Sequence, residues 1–323
     1  MDEVSTTPQV VSHDARLIPA VLREKAVSIW GDDGRRWLEA LPARVDAYCR
    51  KWSLTDLTFP TMSTSFVAFA HSPRHGHVAL KIGYPHTEMA SSMDALIRYA
   101  GNGCCAVHEA ERSDYAMLLE VIEPATPLSA EPDFTRRVDA VAHLAATLPV
   151  PAGEDHCLLV YDTQIRTQFS QTRRIMTPDD GLAPYLDKAE ALYREIHDGR
   201  RPLCVLHGDL HHENVFLTPS GACKAIDPQG WFGESVLDVG RFFQHEWGRH
   251  DAASVHERMR HLIEAFSRTL HEDPRIVAAS CYLNSIRTAC WSLGAPGRRV
   301  HLHENIHRME WIERTFLPDG IPR

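Results

Sequence analysis

No apolar run in this chain approaches the roughly 18–20 residues that a membrane-spanning helix needs, so no span is expected. Basic residues are in deficit: 34 Lys and Arg against 43 Asp and Glu leave a net charge of −9, which argues against nucleic acid or an anionic membrane as partner. That balance suits a cationic small molecule, and it equally suits solubility alone. Neither CxxC nor CxxxC occurs among the eight cysteines, and Cys104 and Cys105 are adjacent, a poor geometry for an ordinary bridge. Free thiols in a reducing cytoplasm are therefore expected. The opening MDEVSTTPQVVSHDAR has neither the basic nor the hydrophobic region of a secretory signal, and residues 1–14 read as a loose tail. There is no internal repeat and no low-complexity segment.

What is present is an ordinary globular composition, 44% hydrophobic over 323 residues, enough for two lobes with their own cores. Residues 18–52 carry apolar side chains at helical spacing. Strands follow at 63–69 and 78–82, a helix at 88–100 ending in Gly101-Asn102-Gly103, and strands at 106–109 and 115–121. Beyond Pro124 the pattern turns helical, over 133–148, 183–198, 235–247, 252–271, 275–293 and 301–316. Strands first and helices after predict an α+β chain: a small lobe with an antiparallel sheet and a mainly helical large lobe, with a hinge over 122–127.

The chemistry concentrates in HGDLHHENVFLTPSGACKAID, residues 207–227. Short apolar runs at 205–206 and 215–217, a Thr218-Pro219-Ser220-Gly221 turn and a second run to Ile226 read as strand, loop and hairpin. Such a hairpin holds Asp209, Asn214 and Asp227 close together on a rigid base. Phosphoryl transfer needs one carboxylate to orient and deprotonate a hydroxyl, with an amide and a second carboxylate to hold magnesium. Asp209 and Asn214 stand at the Asp-to-Asn interval of the kinase loop HRDLxxxxN, and Asp227 falls where the DFG aspartate would stand.

On these residues the chain resembles the aminoglycoside phosphotransferases, and more closely their streptomycin 6-kinase and hydroxyurea kinase branch. HGDLHHENV followed by Ile226-Asp227-Pro228-Gln229-Gly230 carries the likeness, joined by GRRWLEALPARVDAYCRKWSLT, ALKIGYPH, YAMLLEVIEP and EAFSRTLHEDPR. It spans roughly residues 20–316. The resemblance implies a bilobal protein-kinase-like fold, with residues 1–122 forming a nucleotide-binding lobe behind a helical N-terminal extension. Residues 123–323 would form the lobe with the catalytic loop and acceptor site.

It further implies ATP and Mg²⁺ as cofactors, with GTP left open, and a small hydroxyl-bearing acceptor, an antibiotic first of all. Streptomycin is the leading choice. Hydroxyurea, a nucleoside or peptide antibiotic, an amino sugar, a biosynthetic intermediate, or a non-catalytic nucleotide-binding scaffold are the alternatives. A monomer or weak dimer is expected.

Asp209 is then the catalytic carboxylate, and Asn214 and Asp227 the metal ligands. Lys81, in ALKI, fits the strand lysine that holds nucleotide phosphates; Glu88 is its first candidate partner and Asp94 its second. Thr61-Met62-Ser63-Thr64-Ser65 stands where protein kinases carry a glycine-rich loop. It contains no glycine, so Ser63, Thr64 and Ser65 are candidate phosphate contacts through hydroxyl and backbone donors. Adenine is expected on backbone groups between Glu120 and Ile122. His207 and Asp238 are expected to brace the loop, and Glu234 and Trp231 to face the substrate, with a core or hinge role equally open for Trp231. Glu246 and Asp251 are further carboxylates able to bind a guanidinium.

Gln229 departs from the lysine often found after Asp-Pro in this branch, and its effect is open. Histidine is abundant, at 20 residues. His71, His75 and His77 read as a solvated loop, while His207, His211 and His212 are absorbed by the motif. His303 and His307 are i,i+4 beside His301 and Glu304, but no HExxH and no third ligand accompany them, so structural zinc is a minor reading.

Overall fold

The computed structural model describes residues 18–59, 65–199, 201–294 and 300–318. The expected N-terminal tail, and Ser63 and Thr64 of the candidate phosphate loop, lie outside the described residues.

The small lobe opens with α1 (Ala20–Lys51), broken at Gly31, whose φ of 56° is left-handed and available to glycine without a Cβ clash. The single helix expected over 18–52 is thus two helical pieces. There follow β1 (Thr55–Thr58), β2 (Phe66–Ser72), β3 (Gly76–Ile82), α2 (Thr87–Tyr99), β4 (Val107–Glu111) and β5 (Ala116–Glu120). The strands make one antiparallel sheet in the order β1-β2-β3-β5-β4.

Strand alternation divides its two faces. Phe66, Ala68, Val78, Leu80, Ile82 and Leu118 pack with Leu22, Trp37, Leu41 and Val45 of α1. Ala79, Met117 and Leu119 point the other way, into a core shared with α2 and the large lobe. Lys81, between Leu80 and Ile82, therefore stands on the inner face.

The large lobe contains β6 (Thr126–Pro127), α3 (Phe134–Thr147), β7 (Leu159–Val160), α4 (Tyr161–Ile175) and α5 (Ala183–Asp198). Next come β8 (Leu203–Leu206), β9 (Val215–Leu217), β10 (Cys223–Ala225) and β11 (Trp231–Glu234), then α6 (Val239–Trp247), α7 (Val255–Leu270), α8 (Pro274–Gly294) and α9 (Val300–Phe316). Helix α8 buries residues on most of its sides, with Val277, Ala278, Cys281, Tyr282, Leu283 and Ile286 fully buried, as befits a helix packed among others.

Helix α4 is not foreshadowed in the sequence. Only Tyr161, Ile165, Phe169 and Thr172 are buried, a stripe one residue wide in an otherwise polar segment. Strand β11 was also unexpected; it pairs antiparallel with β8 and parallel with β7.

The lobes meet through α2. Gly230, at φ +77°, lets the backbone pass Ser91 so closely that a Cβ there would lie 2.3 Å from the Ser91 carbonyl oxygen. Ser91 Oγ in turn donates to the Gly230 carbonyl and accepts the Leu159 N–H at 2.8 Å. We propose the lobe boundary between Ile122 and Glu123, just past the end of β5. All eight cysteines are free thiols. Among the described residues no helix is long and apolar enough to cross a membrane.

Candidate active site

The loop from His207 to Asn214 leaves β8 and enters the β9–β10 hairpin. Its start is fixed from below by Asp238, whose Oδ2 accepts the His207 N–H at 2.8 Å and whose Oδ1 accepts the Gly208 N–H at 2.7 Å. Burial raises the Asp238 carboxyl, these two N–H donors and Asp209 act on it in turn, and the net result is a pKa of about 6. His207 is fully buried, with Nε2 against the Ile226 carbonyl at 2.9 Å. Burial lowers its pKa to about 4, so the ring is neutral at neutral pH. Gly208, at φ +78°, faces the Trp231 ring, and a Cβ there would meet Cδ1 at 2.0 Å.

Asp209 and Asn214 come together on this base. Asn214 Nδ2 donates to the Asp209 carbonyl at 3.0 Å and approaches Asp209 Oδ2 at 3.3 Å. This sets the amide with its nitrogen toward Asp209 and its oxygen on the opposite side. The Ile226 N–H donates to the Asn214 carbonyl at 2.8 Å, which brings Asp227 beside Asn214 across the hairpin. Asp227 itself is left-handed, at φ 57°, a conformation that aspartate adopts more readily than most residues.

Two residues not foreseen in the sequence shape the Asp209 carboxylate. Arg241 Nε, on α6, lies 2.6 Å from Oδ1, and His211 Nε2 lies 3.3 Å from Oδ2. Burial raises the Asp209 carboxyl, but His211 and Arg241 more than offset it and hold it well below the usual carboxylate range. The available signal for Arg241 was its place three residues after Asp238, on the first turn of the helix that braces the loop.

Lys81 Nζ lies 2.5 Å from Asp227 Oδ1. The lysine charge, first, and its hydrogen bond lower the Asp227 carboxyl against the effect of burial. This corrects the pairing expected with Glu88. Glu88 sits exposed at the start of α2, with Oε2 3.7 Å from His86 Nε2. Asp94 is buried and already taken by Arg98, Arg112 and the Cys157 N–H. The lysine therefore bonds to the carboxylate that the hairpin presents to its strand.

Other expectations change as well. Trp231 is only 7% exposed, wedged against Gly208, 5.6 Å from the Tyr161 ring and 4.7 Å from the Arg287 guanidinium. It packs beneath the loop, in the core. Its Nε1 donates to Gln229 Oε1 at 2.9 Å, which gives Gln229 a scaffold role.

Glu234 is 1% exposed and bonded to His197 Nδ1 at 2.6 Å. It pairs with Leu203 at the far end of β11, roughly 10 Å along the strand from Trp231 at the usual rise. It is thus a buried residue remote from the loop. Glu246 is equally inward, bonded to Arg137, His212 and His250, so it is not free to receive a substrate guanidinium. Asp251 is exposed and accepts the Ser254 N–H at 2.9 Å in the turn that precedes α7.

At the hinge, the Glu120 N–H is spent on the Ala106 carbonyl, and its carboxylate holds Lys224 of β10 at 2.7 and 2.8 Å. Ser65 stands at the entry to β2. Phe216 is half-buried, on the opposite face of β9 from buried Val215.

This arrangement sets an ionised carboxylate beside hard oxygen donors from Asn214 and Asp227, the kind of ligand that Mg²⁺ takes. A lysine on the facing sheet adds the positive charge that phosphate oxygens require.

Residues 51–295 match a protein family described as aminoglycoside/hydroxyurea antibiotic resistance kinase. Streptomycin 6-kinase of Streptomyces griseus is 24% identical over 289 residues, covering 87% of this chain and 92% of that protein. Hydroxyurea phosphotransferase of Kitasatospora aureofaciens is 30% identical over 231 residues, covering 69% of this chain and 66% of that one. Among solved structures, a choline/ethanolamine kinase family protein from Mesorhizobium loti superposes with a TM-score of 0.61 at 14% identity, over 84% of this chain and 95% of the other.

Proposed function

The chain belongs to the aminoglycoside/hydroxyurea antibiotic resistance kinase family, and we propose that it transfers the γ-phosphoryl group of ATP to a hydroxyl of a small-molecule antibiotic, with streptomycin the first acceptor to test. The observation that carries this reading is the Asp209–Asn214–Asp227 constellation, with Lys81 across the cleft.

Asp209 receives the acceptor hydroxyl. A carboxylate held this far down by Arg241 and His211 is a weak base, so its work is mainly orientation. In a loose transition state the hydroxyl proton leaves late, and Asp209 takes it as the new P–O bond forms. Asn214 and Asp227 would hold Mg²⁺, which would neutralise charge on the phosphate oxygens. Lys81 presents its ammonium to the α- and β-phosphates, and Ser65 offers a further donor.

The Glu120 carbonyl and the Ile122 N–H meet the adenine edge, with Phe216 beneath the ring. His207 and Asp238 keep the loop in register. A phosphate ester adds negative charge and bulk to the drug, which spoils its fit to a target built for a neutral or cationic ligand.

A second acceptor class is raised by the hydroxyurea phosphotransferase that is 30% identical to this chain: hydroxyurea is small and uncharged, where streptomycin is a polycation. The test is an ADP-release assay with Mg²⁺ and ATP across streptomycin, hydroxyurea and neutral and anionic hydroxyl compounds. Turnover confined to streptomycin supports the first reading and turnover on uncharged acceptors the second. No turnover on any, with ATP still bound, contradicts both.

A further inference from the structure

We infer that His211, Glu213 and His245 form a second cation site on the flank of the catalytic loop, suited to a borderline transition-metal ion such as Zn²⁺. One ligand atom from each lies within 4.8 Å of the others. His211 Nδ1 is 2.8 Å and His245 Nδ1 3.7 Å from the same oxygen, Glu213 Oε2. Ligands about 2.0–2.2 Å from a tetrahedral ion stand about 3.4 Å apart, so one separation opens slightly and the other closes. The two imidazoles are stacked, with centroids 4.4 Å apart and planes 3° from parallel, and one ring must turn for both lone pairs to converge. Glu213 is exposed and His245 half-buried, which leaves room for that turn and for a water as fourth ligand.

The other side of His211 supplies the second argument. Its Nε2 faces Asp209 Oδ2 at 3.3 Å, while the Glu213 N–H points at Nδ1 from 3.3 Å. Nε2 also lies 3.2 Å from Asn214 Nδ2, and Nδ1 is hydrogen-bonded to Glu213 Oε2 at 2.8 Å, a contact that a cation would replace. With the ion on Nδ1 the Nε2 proton is directed to Asp209, which completes a carboxylate–histidine–metal series with Asp209 as the outer carboxylate that fixes the ring.

The site is distinct from the oxygen donors of Asn214 and Asp227, because imidazole nitrogen suits zinc, cobalt, nickel or copper and Mg²⁺ prefers oxygen. An ion here fixes His211 against Asp209 and draws on the negative charge of that carboxylate, so Zn²⁺ should inhibit turnover through this site.

The test is a Co²⁺ titration of the full chain, read in the visible, which needs no acceptor and so stands or falls apart from the phosphotransfer reading. The wild type should give the d–d band of one four-coordinate Co²⁺, displaced by Zn²⁺, without the thiolate charge-transfer band that the exposed Cys157 would produce. His245→Ala and Glu213→Gln should lose the band while melting as the wild type does without metal. Asp209→Asn should keep it with affinity weaker by roughly 10–100-fold. His245→Ala should also retain Mg·ATP turnover and lose its inhibition by Zn²⁺. A wild type that binds no Co²⁺, a thiolate band, or equal affinity in the two ligand variants would overturn the site.

Discussion

Lys81 of β3 and Asp227 beyond β10 are joined by an ion pair of 2.5 Å, which ties the small-lobe sheet to the catalytic hairpin. Glu88, the nearest acid in the following helix, is turned outward to His86.

Lys81→Ala should therefore raise the nucleotide KM and lower turnover by roughly 10²–10³-fold, as loss of a charge-stabilising donor does. Glu88→Ala should stay within about fivefold of wild type, because an exposed pair contributes little. Nucleotide-titration kinetics of both variants give the comparison. Equal losses in the two would return Glu88 to the site.

The acid limb of the pH–rate profile should fall near pH 6 and belong to Asp238. Its carboxyl titrates near 6 in the folded chain, above its ordinary value of 3.8, whereas His207 titrates near 4 and Asp209 lower still. Below pH 6 the neutral acid is a poorer acceptor for the His207 and Gly208 N–H groups, and the loop loosens. The stability effect has the opposite sign: between about 3.8 and 6 the folded state binds the extra proton, so this contribution is present at low pH and is lost as pH rises through 6. Asp238→Asn should be slower but lack the limb. A limb that persists near pH 6 in that variant would assign it elsewhere.

Much of this site could be read from the chain because its residues are local. Asp209, Asn214 and Asp227 lie on one loop and at the two ends of the hairpin it enters, so their interval fixes their proximity. Lys81 could be placed on a strand by alternation, but its partner is 146 residues away, and no spacing reports that. Trp231 and Glu234 lie on a strand buried against β8, which the residue types of Gly-Trp-Phe-Gly do not announce. An arginine on a helix is usually solvated, and only the fold turns Arg241 onto Asp209. Helix α4 is not legible in the chain because its buried stripe is too narrow to register among glutamines, threonines and arginines.

Glu246 is the hub of a buried network, bonded to Arg137 at 2.6 and 3.1 Å and to His212 at 2.7 Å. Glu246→Ala should cost about 3–5 kcal/mol by leaving Arg137 buried and unpaired. Burial raises this carboxyl, and the His212 and Arg137 bonds more than offset it, to about 2. Its contribution should therefore be complete above the ordinary pKa of 4.5 and disappear as pH falls toward 2. Denaturant melts of wild type and variant at pH 7 and pH 3 measure both effects; a loss under about 1 kcal/mol at pH 7 would contradict the network.

Gly230→Ala should destabilise by at least about 2 kcal/mol, since it adds a Cβ against the Ser91 carbonyl and forces alanine into a left-handed conformation. Thermal melting decides this. An unchanged Tm would mean that α2 can move away from the 226–230 segment.

Asp209→Asn tests the central claim most directly, because it preserves the shape of the side chain and removes only the carboxylate. Mg·ATP affinity and single-turnover phosphate transfer should be measured on both proteins, with the phosphate ester identified on the acceptor by ³¹P NMR. Orientation and proton acceptance by Asp209 require transfer to fall by roughly 10²–10⁴-fold while nucleotide affinity is kept. Transfer at near the wild-type rate would contradict that role.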